Sequence, residues 1–368
     1  MNGYSDSSRL KDNQPFPGKI AVITSTTSIS GDAFRSAQGL LEKYGPDKII
    51  HYIWPDNFMD EQKQTLDTLI ALASDKDIKV LILNQALPGS NAAVEKLKET
   101  RDDIFIVYCT IHESPAESAR HANLILTSDE LGMGQAMVKQ AKKQGAKTFV
   151  HYSFPRHLSQ PDLSASHDII QEECEKEGIL FVGATALDHT GAAGVTGARQ
   201  FILDDVPKLV AKYGEDTAFY SSACPLQKPL IKSVVDCHAI YPQPCCPSPF
   251  HGFPEALGIE TDDNQDDLSY VINEASRIAA DKNMTDRLST WPVSASMMFT
   301  NAGAEYAIKW INGKVPRDGI DDEILEKCMS SYIKEVVGEG IEVSISSYSE
   351  NGVTYDNFKL LLMGYLDF

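Results

Sequence analysis

Asn123-Leu-Ile-Leu-Thr-Ser-Asp-Glu-Leu-Gly-Met-Gly-Gln-Ala-Met-Val-Lys-Gln-Ala-Lys-Lys-Gln-Gly-Ala-Lys-Thr-Phe-Val150 decides the architecture of the chain. Leu124-Ile-Leu is continuously apolar, as a strand buried on both faces must be. It runs into Ser128-Asp129, and Asp129 suits the N-cap of a helix that Gly145 ends. A second apolar strand, Thr148-Phe-Val-His-Tyr, follows at once. A strand, a helix and a strand in this order form a βαβ unit and imply a parallel sheet.

The same grammar extends in both directions. Upstream, Lys19-Ile-Ala-Val-Ile-Thr, Ile49-Ile-His-Tyr-Ile, Val80-Leu-Ile-Leu-Asn and Ile104-Phe-Ile-Val-Tyr read as strands. Helical patterns lie between them, after Gly31 to Tyr44, from Met59 to Ala73 and from Asn91 to Thr100. Downstream, Ile179-Leu-Phe-Val-Gly and Thr217-Ala-Phe-Tyr-Ser alternate with helices around 163–177, 198–213 and 227–237. From about residue 240 a Pro-rich stretch loosens the pattern. Helices are then expected over 268–280, 294–310 and 323–337, with strands near 341–346 and 359–363. The predicted fold class is α/β: two doubly wound, Rossmann-like parallel-sheet lobes joined by hinge crossovers. Residues 1–17 are expected to be a flexible tail, 18–130 the first lobe and 131–284 the second. Residues 285–368 supply a return crossover with C-terminal helices and strands, part of which completes the first lobe.

Composition bounds the function. A net charge of −19 at a pI near 4.8 repels phosphate backbones, so no direct nucleic-acid partner is expected. No apolar run approaches the roughly 20 residues that span a bilayer. The N-terminus, Met1-Asn-Gly-Tyr-Ser, has neither a basic start nor an apolar core, unlike a secretory signal. A cytoplasmic location is expected on this sequence, or an extracytoplasmic lipoprotein if a leader has been removed. Seven cysteines, an odd number spread over 368 residues, read as reduced thiols.

Ligands of open α/β sheets bind outside the carboxyl ends of the strands. In the first lobe those ends carry Ser25, Thr26 and Thr27, then Asn84, then His112. The hydroxyls of the Ser25–Gly31 turn suit a polar ligand beside free helix N–H groups, and would equally serve as helix caps. In the second lobe the ends carry Tyr152 and Arg156, then Asp188, then Ser222. Arg156 is the candidate for a carboxylate, phosphate or hydroxyl pair because its guanidinium donates in a plane; a surface ion pair is the competing role. Trp291 is placed near the hinge as an aromatic wall, or as a core residue.

Other motifs are weaker. Gly191, Gly194 and Gly197 fit neither the dinucleotide nor the P-loop spacing, and no cofactor is expected. Asp188-His189 with Ser222 or Cys224 raises a hydrolase or transferase alternative, although no G-x-S-x-G elbow surrounds either nucleophile. Cys237, Cys245, Cys246 and His251 could bind a soft metal, but they lack a C-x-x-C pair and read more simply as thiols in a Pro-stiffened loop.

Three of these segments together resemble the type I periplasmic-binding-protein fold, shared with the effector domains of sugar-type repressors. They are Lys19-Ile-Ala-Val-Ile-Thr with its Ser/Thr turn, Ser128-Asp129 with Gly134 and Gly145, and Ala302-Gly-Ala-Glu-Tyr-Ala-Ile-Lys-Trp-Ile-Asn-Gly-Lys314. More closely, the chain looks like an uncharacterised bacterial family of this fold, chiefly from anaerobic Gram-positive species, many of whose members begin with a lipoprotein leader. The resemblance implies a polar small-molecule ligand held by two closing lobes without catalysis. It also implies a membrane transporter or a signalling partner. Where sugar receptors have Asp-Asn this chain has Asp129-Glu130, and Ser222-Ala-Cys224-Pro225 stands where they carry an Asn-Asp pair. Only 18 residues precede Lys19, too few for a DNA-binding unit, so an effector domain of a regulator would lack its own.

Overall fold

The computed structural model describes residues 15–58, 60–261 and 267–368. Most of the expected tail, and Met59 at the expected helix start, lie outside them. Two compact units emerge. The first runs to Thr127 and takes in Ser296–Tyr332 and Val343–Leu361. The second comprises Ser128–Ala295, Ile333–Glu342 and Leu362–Phe368. The expected change of lobe at 130/131 compares with a passage at 127/128.

In the first unit, strands β1 (Lys19–Thr24), β2 (Ile49–Ile53), β3 (Ile78–Ala86), β4 (Phe105–Ile111) and β5 (Leu124–Ser128) alternate with helices. The helices are α1 (Thr27–Tyr44), α2 (Gln62–Ala73), α3 (Ser90–Lys98) and α4 (Pro115–His121). The sheet order is β2-β1-β3-β4-β5, all parallel, with a pair of C-terminal strands continuing beyond β5. Along β3 and β4 nearly every side chain is buried, because helices cover both faces. Phe16, just before β1, is buried with its ring edge-on to Tyr44 at 5.6 Å.

Helix α5 (Glu130–Lys143) opens the second unit and explains the glycines of the opening segment. Asp129 accepts a hydrogen bond from the Gly132 N–H at 2.9 Å, so it is the N-cap. A Cβ on Gly132 would stand 2.3 Å from an Asp129 oxygen, and only glycine leaves the cap room. Next come β6 (Thr148–Ser153), α6 (Pro155–Leu158), α7 (Pro161–Glu177) and β7 (Leu180–Thr185). Gly134 lets α7 come close: a Cβ there would sit 3.4 Å from Ile170.

The unit continues with α8 (Gly194–Tyr213), β8 (Thr217–Ser221), α9 (Gln227–Asp236), α10 (Phe253–Leu257), α11 (Leu268–Asp281) and β9 (Ser289–Thr290). The central strands order as β7-β6-β8, all parallel. The backbone ladder does not stop at β8. Phe219 N–H donates to Ile240 at 2.9 Å, and Tyr241 N–H to Arg287 at 2.8 Å, both parallel bridges. The Pro-rich stretch therefore begins as a short sheet rung.

Helix α12 (Ala295–Ile311) returns the chain to the first unit. Gly303 lies against β4, where a Cβ would meet Val107 at 3.1 Å, and Phe105 packs on Tyr306 and Trp310. Helix α13 (Asp322–Val337) precedes β10 (Val343–Glu350), β11 (Val353–Met363) and β12 (Leu366–Asp367). Asn351 and Gly352 join β10 to β11 with φ of 51° and 78°. Positive φ at both positions is what the two-residue type I′ hairpin requires. β11 then extends the first unit's sheet beyond β5, while β12 pairs antiparallel with β9.

Candidate functional site

The strand orders locate the sites. In the second unit β6 is central: the chain goes to one side for β7 and to the other for β8. The reversal leaves a crevice position at the carboxyl ends of β6 and β8, where ligands of open sheets bind. His157, after β6, and Ser222, after β8, meet there, with Nδ1 2.9 Å from Oγ. His157 packs on Phe154 at 4.0 Å between ring centres. Burial, then the Arg156 charge, hold its imidazole below its ordinary range, so it is neutral at pH 7.

Arg156 and Asp188 form the second pair on this edge, from the ends of β6 and β7. Nε donates to Oδ2 at 2.8 Å and Nη2 to Oδ1 at 3.0 Å. Thr190 adds its N–H at 2.9 Å and its hydroxyl at 2.8 Å to Oδ1. The Arg156 side-chain bond, then the Thr190 backbone bond, hold the Asp188 carboxyl well below the usual carboxylate range. Asp188 thereby orients Arg156. A guanidinium has five N–H donors, so three remain beyond those that Asp188 engages. His189, 4.0 Å from Asp188, turns edge-on to Phe154 and His157. The alternative pairing of His189 with Ser222 is thus not the one formed, since His157 takes that hydroxyl.

Tyr152 and Trp291 lie in the interior. Tyr152 is fully buried and donates its hydroxyl to Asp205 at 3.0 Å. Trp291 is also fully buried, and its indole N–H has no partner among the described residues.

In the first unit the reversal falls between β1 and β3. Ser25, just past β1, is buried with its hydroxyl unpartnered among the described residues. Thr26 and Ser28 bind the Asp56 carboxylate rather than capping α1, which has no side-chain cap. Thr27 is exposed at the start of that helix. Asn84 is buried and donates to the Ser296 carbonyl at 2.9 Å and to Thr300, so its amide nitrogen ties β3 to α12. His112 is exposed, and its N–H donates to Ala86 at 3.0 Å.

Two residues on this edge carry a signal that sequence cannot show. Gln85 and Thr110 have φ of 94° and 52°, in the half of backbone space that side chains avoid. They stand opposite each other, between the paired positions Asn84–Cys109 and Ala86–Ile111. Strain of this kind concentrates where ligands are held.

Parallel sheets with polar carboxyl edges are those of a doubly wound α/β protein, and likeness to solved structures makes the fold type I periplasmic-binding-protein-like. A solved structure of a protein described as a candidate transcriptional regulator from Clostridium difficile 630 matches 96% of this chain and 100% of its own. The TM-score is 0.85 and the identity 20%, which establishes the fold. A sugar ABC transport substrate-binding protein from Bordetella parapertussis 12822 matches 96% of the chain and 91% of its own, with TM-score 0.51 and 9% identity. The chain belongs to the family described as "Protein of unknown function (DUF3798)", whose model matches residues 18–289. An uncharacterised protein of Treponema pallidum (strain Nichols) is 32% identical over 178 residues, 47% of this chain and 80% of that protein. Among the described residues no helix is long and apolar enough to cross a membrane.

Proposed function

We propose that the protein reversibly binds a small polar molecule, using the carboxyl edges of its parallel sheets, and does no chemistry on it. The Arg156–Asp188 pair carries this reading. Arg156 stands in α6 just past β6 and Asp188 in the loop after β7, and four hydrogen bonds fix the Asp188 carboxylate. A guanidinium held this way is ready for a carboxylate or a pair of hydroxyls. The neutral His157–Ser222 pair beside it suits an uncharged hydroxyl or amide. Proteins of this fold include a sugar substrate-binding protein and a candidate regulator, which supports binding as the shared activity.

Two settings use such binding. A solute receptor delivers its ligand to a membrane transporter; a sensor reports occupancy to a signalling partner. Localising the protein in fractionated cells chooses between them. The ligand itself is sought by thermal shift over sugars, polyols, nucleosides, amino acids and short peptides. A true ligand at about 100 times its Kd adds roughly 2.7 kcal/mol of stability. The reading fails if no class raises the midpoint, or if Arg156→Ala leaves the observed shift unchanged.

One observation favours a hydrolytic second reading: a serine hydroxyl 2.9 Å from an imidazole nitrogen. Its weakness is the third member. Asp188, the carboxylate on that edge, is engaged by Arg156 and Thr190 rather than by His157. Turnover of an ester panel that Ser222→Ala abolishes would establish it.

A further inference from the structure

The Pro-rich stretch ends in a cluster that the binding edge does not use. Cys224 opens a short 3-10 turn, Cys224–Leu226, after β8. Its sulfur lies 3.4 Å from that of Cys245 and 3.9 Å from that of Cys246, and the latter two are 3.9 Å apart. All three cysteines are free thiols. His251 completes the group: ligand atoms of Cys224, Cys245 and His251 lie within 4.8 Å of one another. Sequence spacing pointed to Cys237 as the neighbour of this cluster. The fold brings Cys224 instead, from the carboxyl end of the adjacent strand.

We propose that Cys224, Cys245, Cys246 and His251 bind one tetrahedral soft divalent cation of the zinc class. Three geometrical facts carry this. Zinc–thiolate bonds of about 2.3 Å in a tetrahedron place ligand sulfurs about 3.8 Å apart, and the three observed separations of 3.4, 3.9 and 3.9 Å cluster around that edge. His251 Nδ1 stands 2.9 Å from the Cys246 carbonyl, so an Nδ1–H donates there and Nε2 is left as the ligand. A metal-bound histidine characteristically gives its other N–H to such an acceptor, which fixes its tautomer. The loop is also held before any metal arrives. Ser289 donates to the Pro242 carbonyl at 2.7 Å, Tyr365 donates to Gln243 at 2.5 Å, and Tyr241 donates to Gln227. Gly252, with φ of 85°, then turns the chain close over α9, where a Cβ would stand 3.1 Å from both Gln227 and Ile231.

Four protein ligands leave no open position, so the cation is a structural clasp. It ties the loop that follows Tyr241 to the end of β8, two residues beyond Ser222. Binding displaces thiol protons, so affinity rises with pH.

The test uses the full chain, purified reduced and without oxygen, then titrated with cobalt chloride and back-titrated with zinc chloride. One cobalt per chain, with the charge-transfer and ligand-field absorption of tetrahedral thiolate coordination, bleached by one zinc, is expected. Cys224→Ser and Cys245→Ser each weaken zinc binding by more than about 100-fold, beyond the roughly 10–100-fold that loss of an outer-shell partner costs. Cys237→Ser leaves it unchanged. Should the serine variants fold poorly, maleimide labelling of the parent chain decides: zinc protects Cys224, Cys245 and Cys246 and leaves Cys237 reactive. The proposal is overturned by absence of cobalt absorption, by unprotected thiols, or by a Cys224–Cys245 disulfide in the protein as isolated.

Discussion

Arg156 lies side-on to Asp188, with Nε 2.8 Å from Oδ2 and Nη2 3.0 Å from Oδ1, so that both carboxylate oxygens are engaged by one guanidinium. The pair orients Arg156 as much as it neutralises it. Asp188→Asn therefore weakens ligand binding by about tenfold, because the neutral amide cannot accept both donors and no longer fixes the guanidinium. The pH dependence has a definite sign. The folded-state carboxyl titrates below its unfolded value near 3.9, so its contribution to stability is present above about pH 4 and is lost as pH falls further. Urea midpoints at pH 7, 5 and 3 check this. The gap between parent and Asp188→Asn must be widest at neutral pH and narrower at pH 3, where the loss has begun; a constant gap refutes the assignment.

Tyr152 and Ser222 separate the interior from the edge. The Tyr152 hydroxyl is spent on Asp205 at 3.0 Å inside the second unit. Tyr152→Phe should cost about 1 kcal/mol of stability and leave ligand affinity alone. Ser222→Ala should do the reverse. Trp291→Ala should cost about 3–5 kcal/mol, the range for deleting a large buried aromatic. Denaturant unfolding together with isothermal titration measures both quantities. A large affinity loss in Tyr152→Phe at unchanged stability would return that residue to the ligand.

Continuous apolar runs mark the largely buried strands β1, β3, β4, β5, β6 and β8, as strands covered on both faces require, and the edge strands β2 and β7 carry similar runs with more exposure. What escaped is informative. Helix α4, Pro115–His121, has seven residues and no apolar stripe long enough to show a period. The rung at Ile240–Tyr241 is hidden by the prolines that follow it. The hairpin β10–β11 turns at Asn351-Gly352, and its strands, Val343–Glu350 and Val353–Met363, are longer than the expected 341–346 and 359–363. The site was less legible than the fold. Arg156, Asp188 and Ser222 could be placed at strand ends, but pairing is a property of three dimensions. The partners His157 and Thr190, and the exchange of Cys237 for Cys224, follow from which strands are neighbours. Tyr152 illustrates the limit: alternation along β6 does not say which face holds ligand when both are buried.

His151 gives the second unit an acid-sensitive core. It is almost fully buried on β6, its Nδ1 is 3.0 Å from the Nδ1 of His167, and its Nε2 has no partner among the described residues. Burial, then the His167 and His157 charges, push its pKa down to about 3. The unfolded chain therefore binds a proton that the folded chain refuses between about pH 6.5 and 3. Stability rises with pH across that window, and its loss on acidification is on the order of a few kcal/mol. His151→Leu should flatten the profile between pH 4 and 7, as followed by urea midpoints. A variant with the parent's slope would place the acid sensitivity elsewhere.

Gln85 and Thr110 test whether backbone strain on the first unit's edge serves binding. Both have positive φ, and Thr110 is β-branched, the side-chain type least suited to that region. A left-handed conformation costs roughly 1–2 kcal/mol in a residue with a Cβ, and glycine escapes it while adding entropy to the unfolded chain. The net gain expected for Gln85→Gly is about 0.5–1 kcal/mol, and Thr110→Gly should gain at least as much. If the strain exists to present backbone groups to a ligand, the more stable variants bind more weakly, because a freed backbone must be ordered again on binding. Thermal midpoints and ligand titration on the same preparations measure the two effects together. Glycine variants less stable than the parent would show that the two positions are not strained. Variants both more stable and equally tight would show that the strain has no part in recognition.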